Sequence, residues 1–345
     1  MPASRTLSRA ELHAELIAIN ARDADAEVES LRKIILPMIG LVPADDDIDA
    51  QFLALSTDQI AGFYDPKTQS LTLISGESSD PIVDQVLLAH ELQHALDDQI
   101  LGLERIASQR PPSLDAELAA ASVIEGSATV AMMRWMVHAI AEHRITLNDL
   151  IRWQLSEKNH NNSLNSVPTY YRARMLAPYM IGLTSLLGHA PTQTDLMGPD
   201  PVAEKLRNYA QHMPLSTEQL LHPGNTDVPN VIDEAAILRS LPEGARCETI
   251  GELNIAILTG ISARPDAKAT KLKSWTNRAA TGWGGDRICA VGTSGIWVTE
   301  WDSTRDRGEF LKGWKHHPAA VFSGATGAVF MWGEQVKPIE WSQTQ

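Results

Sequence analysis

The residues of this 345-residue chain whose spacing most directly implies chemistry are His90, Glu91 and His94, a His-Glu-x-x-His pattern. On a helix, side chains four apart lie one above the other, so both imidazoles can turn toward a single tetrahedral metal ion. Glu91, next to the first histidine, can then meet a metal-bound water. Zinc brings the pKa of such a water toward neutrality, and Glu91 is expected to accept its proton and pass it to a leaving amine. Asp98 continues the same face and is expected to orient a ligand imidazole. Two imidazoles and a carboxylate on an otherwise apolar helix are costly to bury without a partner, which argues for a metal over an accidental match.

The surrounding sequence predicts that helix. Asp80 can cap it, Pro81 suits the first helical position, and Gly102 can end it near Leu101. Ile82, Val83, Val86, Leu87, Leu88, Leu92, Leu96 and Ile100 cover more than one stripe, so the helix is buried. A third ligand must come from another element. Pro111-Pro112 breaks the chain, and Ser113 can cap a second long helix rich in small residues, which permits close helix packing. Within it Glu125 sits among Val123, Ile124 and Ala128, and a buried carboxylate requires a charge or a metal. Thirty-one residues beyond His94, it is far enough on to lie on a helix brought alongside the first. Glu125 is therefore taken as the third zinc ligand, one zinc ion per chain. Asp115 suits a supporting or capping role and Glu117 faces solvent.

His90, Glu91, His94 and Asp98 on one helix, with Glu125 on a later one, resemble the gluzincin class of zinc metallopeptidases. More closely, the chain is similar to a group of bacterial predicted metallopeptidases. These share a Gly-Phe-Tyr-Asp-Pro hairpin (Gly62 to Pro66), a His-Glu-Leu-x-His helix and a Glu-Gly-x-Ala segment (Glu125 to Ala128). They also share Ser-Thr-Glu-Gln followed by His-Pro (Ser216 to Gln219, then His222-Pro223) and Gly-Trp-Gly-Gly-Asp-Arg (Gly282 to Arg287). The resemblance spans most of the chain and implies a helix-rich zincin-like core, a bound zinc and a peptide or protein substrate. At the third ligand the sequence departs from the thermolysin type: Ile124 precedes Glu125, and Gly126 to Thr129 follow it. The partner of the first histidine is thereby unassigned. A gluzincin also needs a donor from outside the ligand helices for the tetrahedral oxyanion, and His222 and Tyr179 are the two candidates.

Composition sets limits. With 43% hydrophobic and 21% charged residues the chain can bury a core. A formal charge of −14 without a basic stretch argues against a nucleic-acid partner. No run reaches the ~18–20 apolar residues of a membrane helix, and Met1 to Asp25 has no apolar segment of the export type. A form whose leader had been removed would read the same. Cys247 and Cys289 form no metal-binding pair; a single disulfide and two buried thiols are both compatible with their positions.

Elsewhere, Ser8 to Leu41 predicts one or two amphipathic helices, Asp45-Asp46-Asp47 a solvated turn, and Ile60 to Ile74 a β-hairpin about Asp65-Pro66-Lys67-Thr68. That hairpin offers either an edge strand to an extended peptide or a cover for the helix. Asn159 to Asn165 predicts a loop or lid in which His160 is solvated; His138 and His143 are read as ordinary surface or core histidines. Helices are expected at Pro178 to Leu187, Asp200 to Tyr209 and Pro214 to Pro223. Beyond about residue 240 strand-like alternation appears in Ile250 to Leu258, Arg287 to Val291, Ile296 to Trp301 and Ala319 to Phe330. Helices are expected between them at Asp266 to Arg278 and Ser303 to Trp314. Most of the tryptophans fall here and are assigned to core packing. The expectation is an α+β fold: residues 1–240 as a metallopeptidase core with a β-hairpin before its motif helix, and 241–345 as a small α+β unit. The expected function is zinc-dependent peptide hydrolysis. The alternative from another class is an inactive protein that keeps the fold and binds through its C-terminal unit; a Glu91 retained beside the histidines speaks against it.

Overall fold

Ser8 opens the first helix through a reciprocal capping box. Its hydroxyl accepts from the Glu11 N–H while the Glu11 carboxylate accepts from the Ser8 N–H. The computed structural model describes residues 2–75, 81–109, 113–146, 148–149, 152, 164–225, 227–264, 268–315, 317–318, 321–334 and 336–337. The expected Asp80 cap, the Pro111-Pro112 break and His160 lie outside them. Helix α1 (Arg9–Asp23) is followed by α2 (Ala26–Ile39), capped by Asp25 and ended by Gly40 in the left-handed conformation (φ 83°). Asp47, expected in a solvated turn, instead caps α3 (Ile48–Gln59) by accepting from the Ala50 N–H.

The hairpin forms as expected from β2 (Gly62–Asp65) and β3 (Ser70–Ile74), with Tyr64 opposite Leu71. Strand β1 (Ala3–Leu7), which the sequence did not reveal, pairs in parallel with β3 to give the order β1-β3-β2, leaving β2 as an edge. Helix α4 (Pro81–Leu101) carries the His-Glu-x-x-His pattern and leads through α5 (Leu103–Gln109) to α6 (Leu114–Ala141). The Ser113 hydroxyl accepts from the Ala116 N–H and caps α6 as expected. After α7 (Thr169–Leu187) come four short helices: α8 (Gln193–Met197), α9 (Ala203–Tyr209), α10 (Glu218–Leu221) and α11 (Glu234–Arg239). Helix α6 packs against both α4 and α7. It is long and apolar enough to cross a membrane by length and composition, yet 61% of its apolar window is buried among these neighbours, as in a core helix.

The C-terminal strands are β4 (Arg246–Glu248), β5 (Trp283–Val291), β6 (Ser294–Trp301), β7 (Val321–Ser323) and β8 (Gly327–Trp332). They form one antiparallel sheet in the order β4-β5-β6-β8-β7. Cys247 and Cys289 face each other across β4 and β5 and form a disulfide. Two expectations fail here. The run Ile250 to Leu258 is not a strand but helix α12 (Gly251–Leu258), buried along nearly its whole length. Over so short a run, with apolar residues this dense, the pattern does not separate strand from helix. Among its described residues, Asp266 to Arg278 makes only turns and a 3-10 segment at Leu272–Ser274. Helix α13 (Thr304–Gly313) forms as expected.

Trp275, Trp283, Trp297, Trp301 and Trp314 are all buried, so the tryptophans are core residues. The class is α+β. One continuous apolar cluster runs from Ile35 on α2 through Val123 on α6 and Ile181 on α7 to Trp297 on β6, so no break in the core marks residue 240.

Candidate metal centre

Helix α4 turns His90 and His94 toward α6, where Glu125 meets both. The His90 Nε2 lies 3.1 Å from Glu125 Oε2 and 3.1 Å from His94 Nε2, and the His94 Nε2 lies 3.5 Å from the same carboxylate oxygen. Metal–nitrogen bonds of about 2.0–2.1 Å at a tetrahedral angle would hold neighbouring donors about 3.3–3.4 Å apart. The three atoms therefore already stand within a few tenths of an ångström of the spacing a small tetrahedral cation requires. Two imidazole nitrogens that near each other cannot both point a lone pair inward without a proton or a cation between them. Burial would raise the Glu125 carboxyl, but its hydrogen bonds to His90 and His94 outweigh that and hold it at about 2.

Two glycines explain how α6 and α7 reach this geometry. A Cβ on Gly126 would lie 2.3 Å from the Gly182 carbonyl carbon, and one on Gly182 would lie 1.8 Å from the Ser122 carbonyl oxygen. The helices thus cross with backbone on backbone, which only glycine allows. Glu125 and Tyr179 flank that crossing. The Tyr179 ring stacks on His90, with centroids 5.8 Å apart, and its hydroxyl lies near the Glu125 carboxylate. The charge on Glu125, with burial, keeps this phenol protonated far above its ordinary range.

Glu91 lies buried on the other side of the histidines, and burial pushes its carboxyl up from the ordinary value. Strand β2 passes directly over it: a Cβ on Gly62 would be 3.5 Å from Glu91 Cγ, and the Tyr64 N–H lies near the carboxylate. The Tyr64 hydroxyl donates to Asp98 at 3.0 Å. Asp98 also accepts the Leu103 N–H at 2.8 Å, so it braces the hairpin and the end of α4 and does not orient a ligand imidazole. The expectation for Asp98 fails because the hairpin and the end of α4 take up its carboxylate. Sequence reading passed over Asp97, which is wholly buried and accepts from Gln93 Nε2 at 2.8 Å.

Of the two candidate oxyanion donors the structure brings only Tyr179 to the histidines. His222 points its Nε2 at both oxygens of the buried Glu252, at 2.9 and 3.0 Å. Glu252 is on α12, whose Gly251 abuts Asp115, and Asp115 precedes Glu125 by about 15 Å along α6. Asp115 is not a metal ligand; it accepts from the Thr217 N–H and hydroxyl, and burial raises its carboxyl to about 8. Glu117 pairs with Arg32. His138 lies near the far end of α6, about 20 Å along it from Glu125, and His143 lies just beyond that end.

Residues 239–335 match a family described as a domain of unknown function (DUF8575), a span that covers β4 to β8 and leaves the histidines and Glu125 outside. No curated protein and no solved structure matches the chain.

Proposed function

We propose that the protein is a zinc-dependent hydrolase of peptide bonds, with His90, His94 and Glu125 as the zinc ligands. The observation that carries this reading is the convergence of three donor atoms, from two helices, all within 4.8 Å of one another. A bound zinc would lower the pKa of a water in its open position and polarise the scissile carbonyl. Glu91 is the general base of this reading. Its carboxylate adjoins the histidines, and its raised affinity for a proton suits it to accept one from the attacking water and return it to the departing amine. The Tyr179 hydroxyl, on a ring stacked against His90, is the donor available to the oxyanion. The edge strand β2, running over Glu91, offers unpaired backbone groups along which an extended peptide can lie.

The test is metal analysis of the purified protein beside two variants, with cleavage of a mixed peptide library as the second readout. About one zinc per chain is expected in the parent, lost or sharply weakened in Glu125→Ala. Glu91→Gln should keep the zinc and lose cleavage. No zinc in the parent after reconstitution at neutral pH would overturn the site. Undiminished cleavage by Glu91→Gln would overturn the mechanism.

A further inference from the structure

Two buried polar atoms one helical turn apart have no hydrogen-bond partner: His94 Nδ1 and Asp97 Oδ2. Asp97 is 0% exposed, although its residue type is seldom buried without a charge partner. Its other oxygen, Oδ1, accepts from Gln93 Nε2, which also reaches the Ser127 hydroxyl on α6. That bond holds the side chain by one oxygen and leaves Oδ2 free. The carboxylate is near enough for its charge to act on the His94 ring.

We infer that Asp97 is the positioning residue of the centre: it accepts the Nδ1–H of His94 and so fixes the tautomer and ring plane that point Nε2 at the cation. This rests on the zinc reading proposed above. An imidazole can give its Nε2 lone pair to a cation only if its proton is on Nδ1, and that N–H, buried, needs an acceptor. Asp97 Oδ2 is a buried acceptor with no other partner, three residues on from His94 and so on the adjoining turn of α4. Gln93, half-buried between the two histidines of the pattern, then has a purpose as the brace of Asp97. The same bond makes the imidazole a stronger electron donor.

The experiment measures zinc affinity by chelator competition in the full-length parent, Asp97→Asn and Asp98→Asn, with thermal unfolding of each zinc-free protein. Nitrogen-15 shifts of the His94 ring report its tautomer. Asp97→Asn should bind zinc about 10–100-fold more weakly than the parent. Its zinc-free form should melt no lower than the parent, because the substitution removes a buried charge. The His94 ring should lose its fixed Nδ1–H form. Asp98→Asn should stay within twofold of the parent in affinity. Equal affinity in Asp97→Asn and parent, with His94 unchanged in tautomer, would overturn the inference and leave the zinc site standing. A fall in zinc-free melting with affinity per folded molecule unchanged would also overturn it, since Asp97 would then serve the fold alone. A parent that binds no zinc would overturn both readings.

Discussion

The crossing of α6 and α7 at Gly126 and Gly182 can be tested by adding one carbon atom. A methyl group on Gly182 would sit 1.8 Å from the Ser122 carbonyl oxygen and 2.8 Å from Gly126 Cα. Ordinary contact starts near 3.4 Å, so the helices must part locally by about 1.6 Å. Every atom in the way is backbone, and no rotamer change can relieve the overlap. Overpacking of a core costs about 1–3 kcal/mol, and an overlap this deep against main chain belongs at the upper end. Alanine recovers about 1 kcal/mol of helix propensity over glycine, leaving a net loss of about 2 kcal/mol for Gly182→Ala. Gly308 on α13 supplies the control, because its Cβ would meet nothing within 4 Å and its φ is not positive. Gly308→Ala should gain up to about 1 kcal/mol. Urea unfolding of the two variants beside the parent, compared at equal slope, measures both values. Tyr179, one turn before Gly182, should also be drawn off the His90 ring as α7 withdraws, so on the proposed mechanism cleavage should fall with stability. If Gly182→Ala were as stable as Gly308→Ala, the close crossing would be wrong, and with it the account of how Glu125 and Tyr179 meet.

Two further outcomes follow from the side chains around that crossing. On the proposed mechanism, Tyr179→Phe should keep its zinc and lose about 10²–10³-fold in kcat with little change in KM, the scale for one oxyanion donor. An unchanged kcat would remove Tyr179 from the chemistry. Asp115 is held at about 8 in the folded chain against an ordinary 3.8. Between those values the unfolded chain releases a proton that the folded chain retains, so the parent loses stability as pH rises through this window. Asp115→Asn has no such loss, and its melting advantage over the parent should grow from acid to pH 8. A difference independent of pH would show that Asp115 does not carry that proton.

The residues legible in the sequence were those whose geometry is local. His90, Glu91 and His94 are placed by one helix alone, and Glu125 stood out because α6 is otherwise apolar around it. The small residues of α6 announced a close neighbour without saying which one, since Gly182 and Tyr179 lie more than 50 residues on. Asp97 and Asp98 both lie near His94 along α4, and what separates them is tertiary: the partner of Asp98 is on the hairpin, 34 residues back. Strand β1 was invisible for a related reason. Its pairing with β3 spans 67 positions, and its own five residues alternate too weakly to predict it.

The C-terminal motifs show how a chemical-looking constellation can be structural. Asp286 of the Gly-Trp-Gly-Gly-Asp-Arg stretch accepts from the indoles of Trp283 and Trp297, each at 2.9 Å, and from the Ile250 and Gly251 N–H groups that start α12. That acceptor favours a helix over Ile250 to Leu258: a carboxylate 35 residues away takes the N–H groups at its start. Helix α12 in turn seats Gly251 against Asp115, and Thr217 of the Ser-Thr-Glu-Gln stretch bridges the two, taking the Leu253 N–H and donating to Asp115. His222 closes the frame on Glu252. The chain of contacts reaches α6 at Asp115 in its first turn, about 15 Å before Glu125, where Gly251 abuts the carboxylate and Thr217 donates to it. Through α12 and Thr217 the C-terminal unit therefore helps to anchor the helix that carries Glu125.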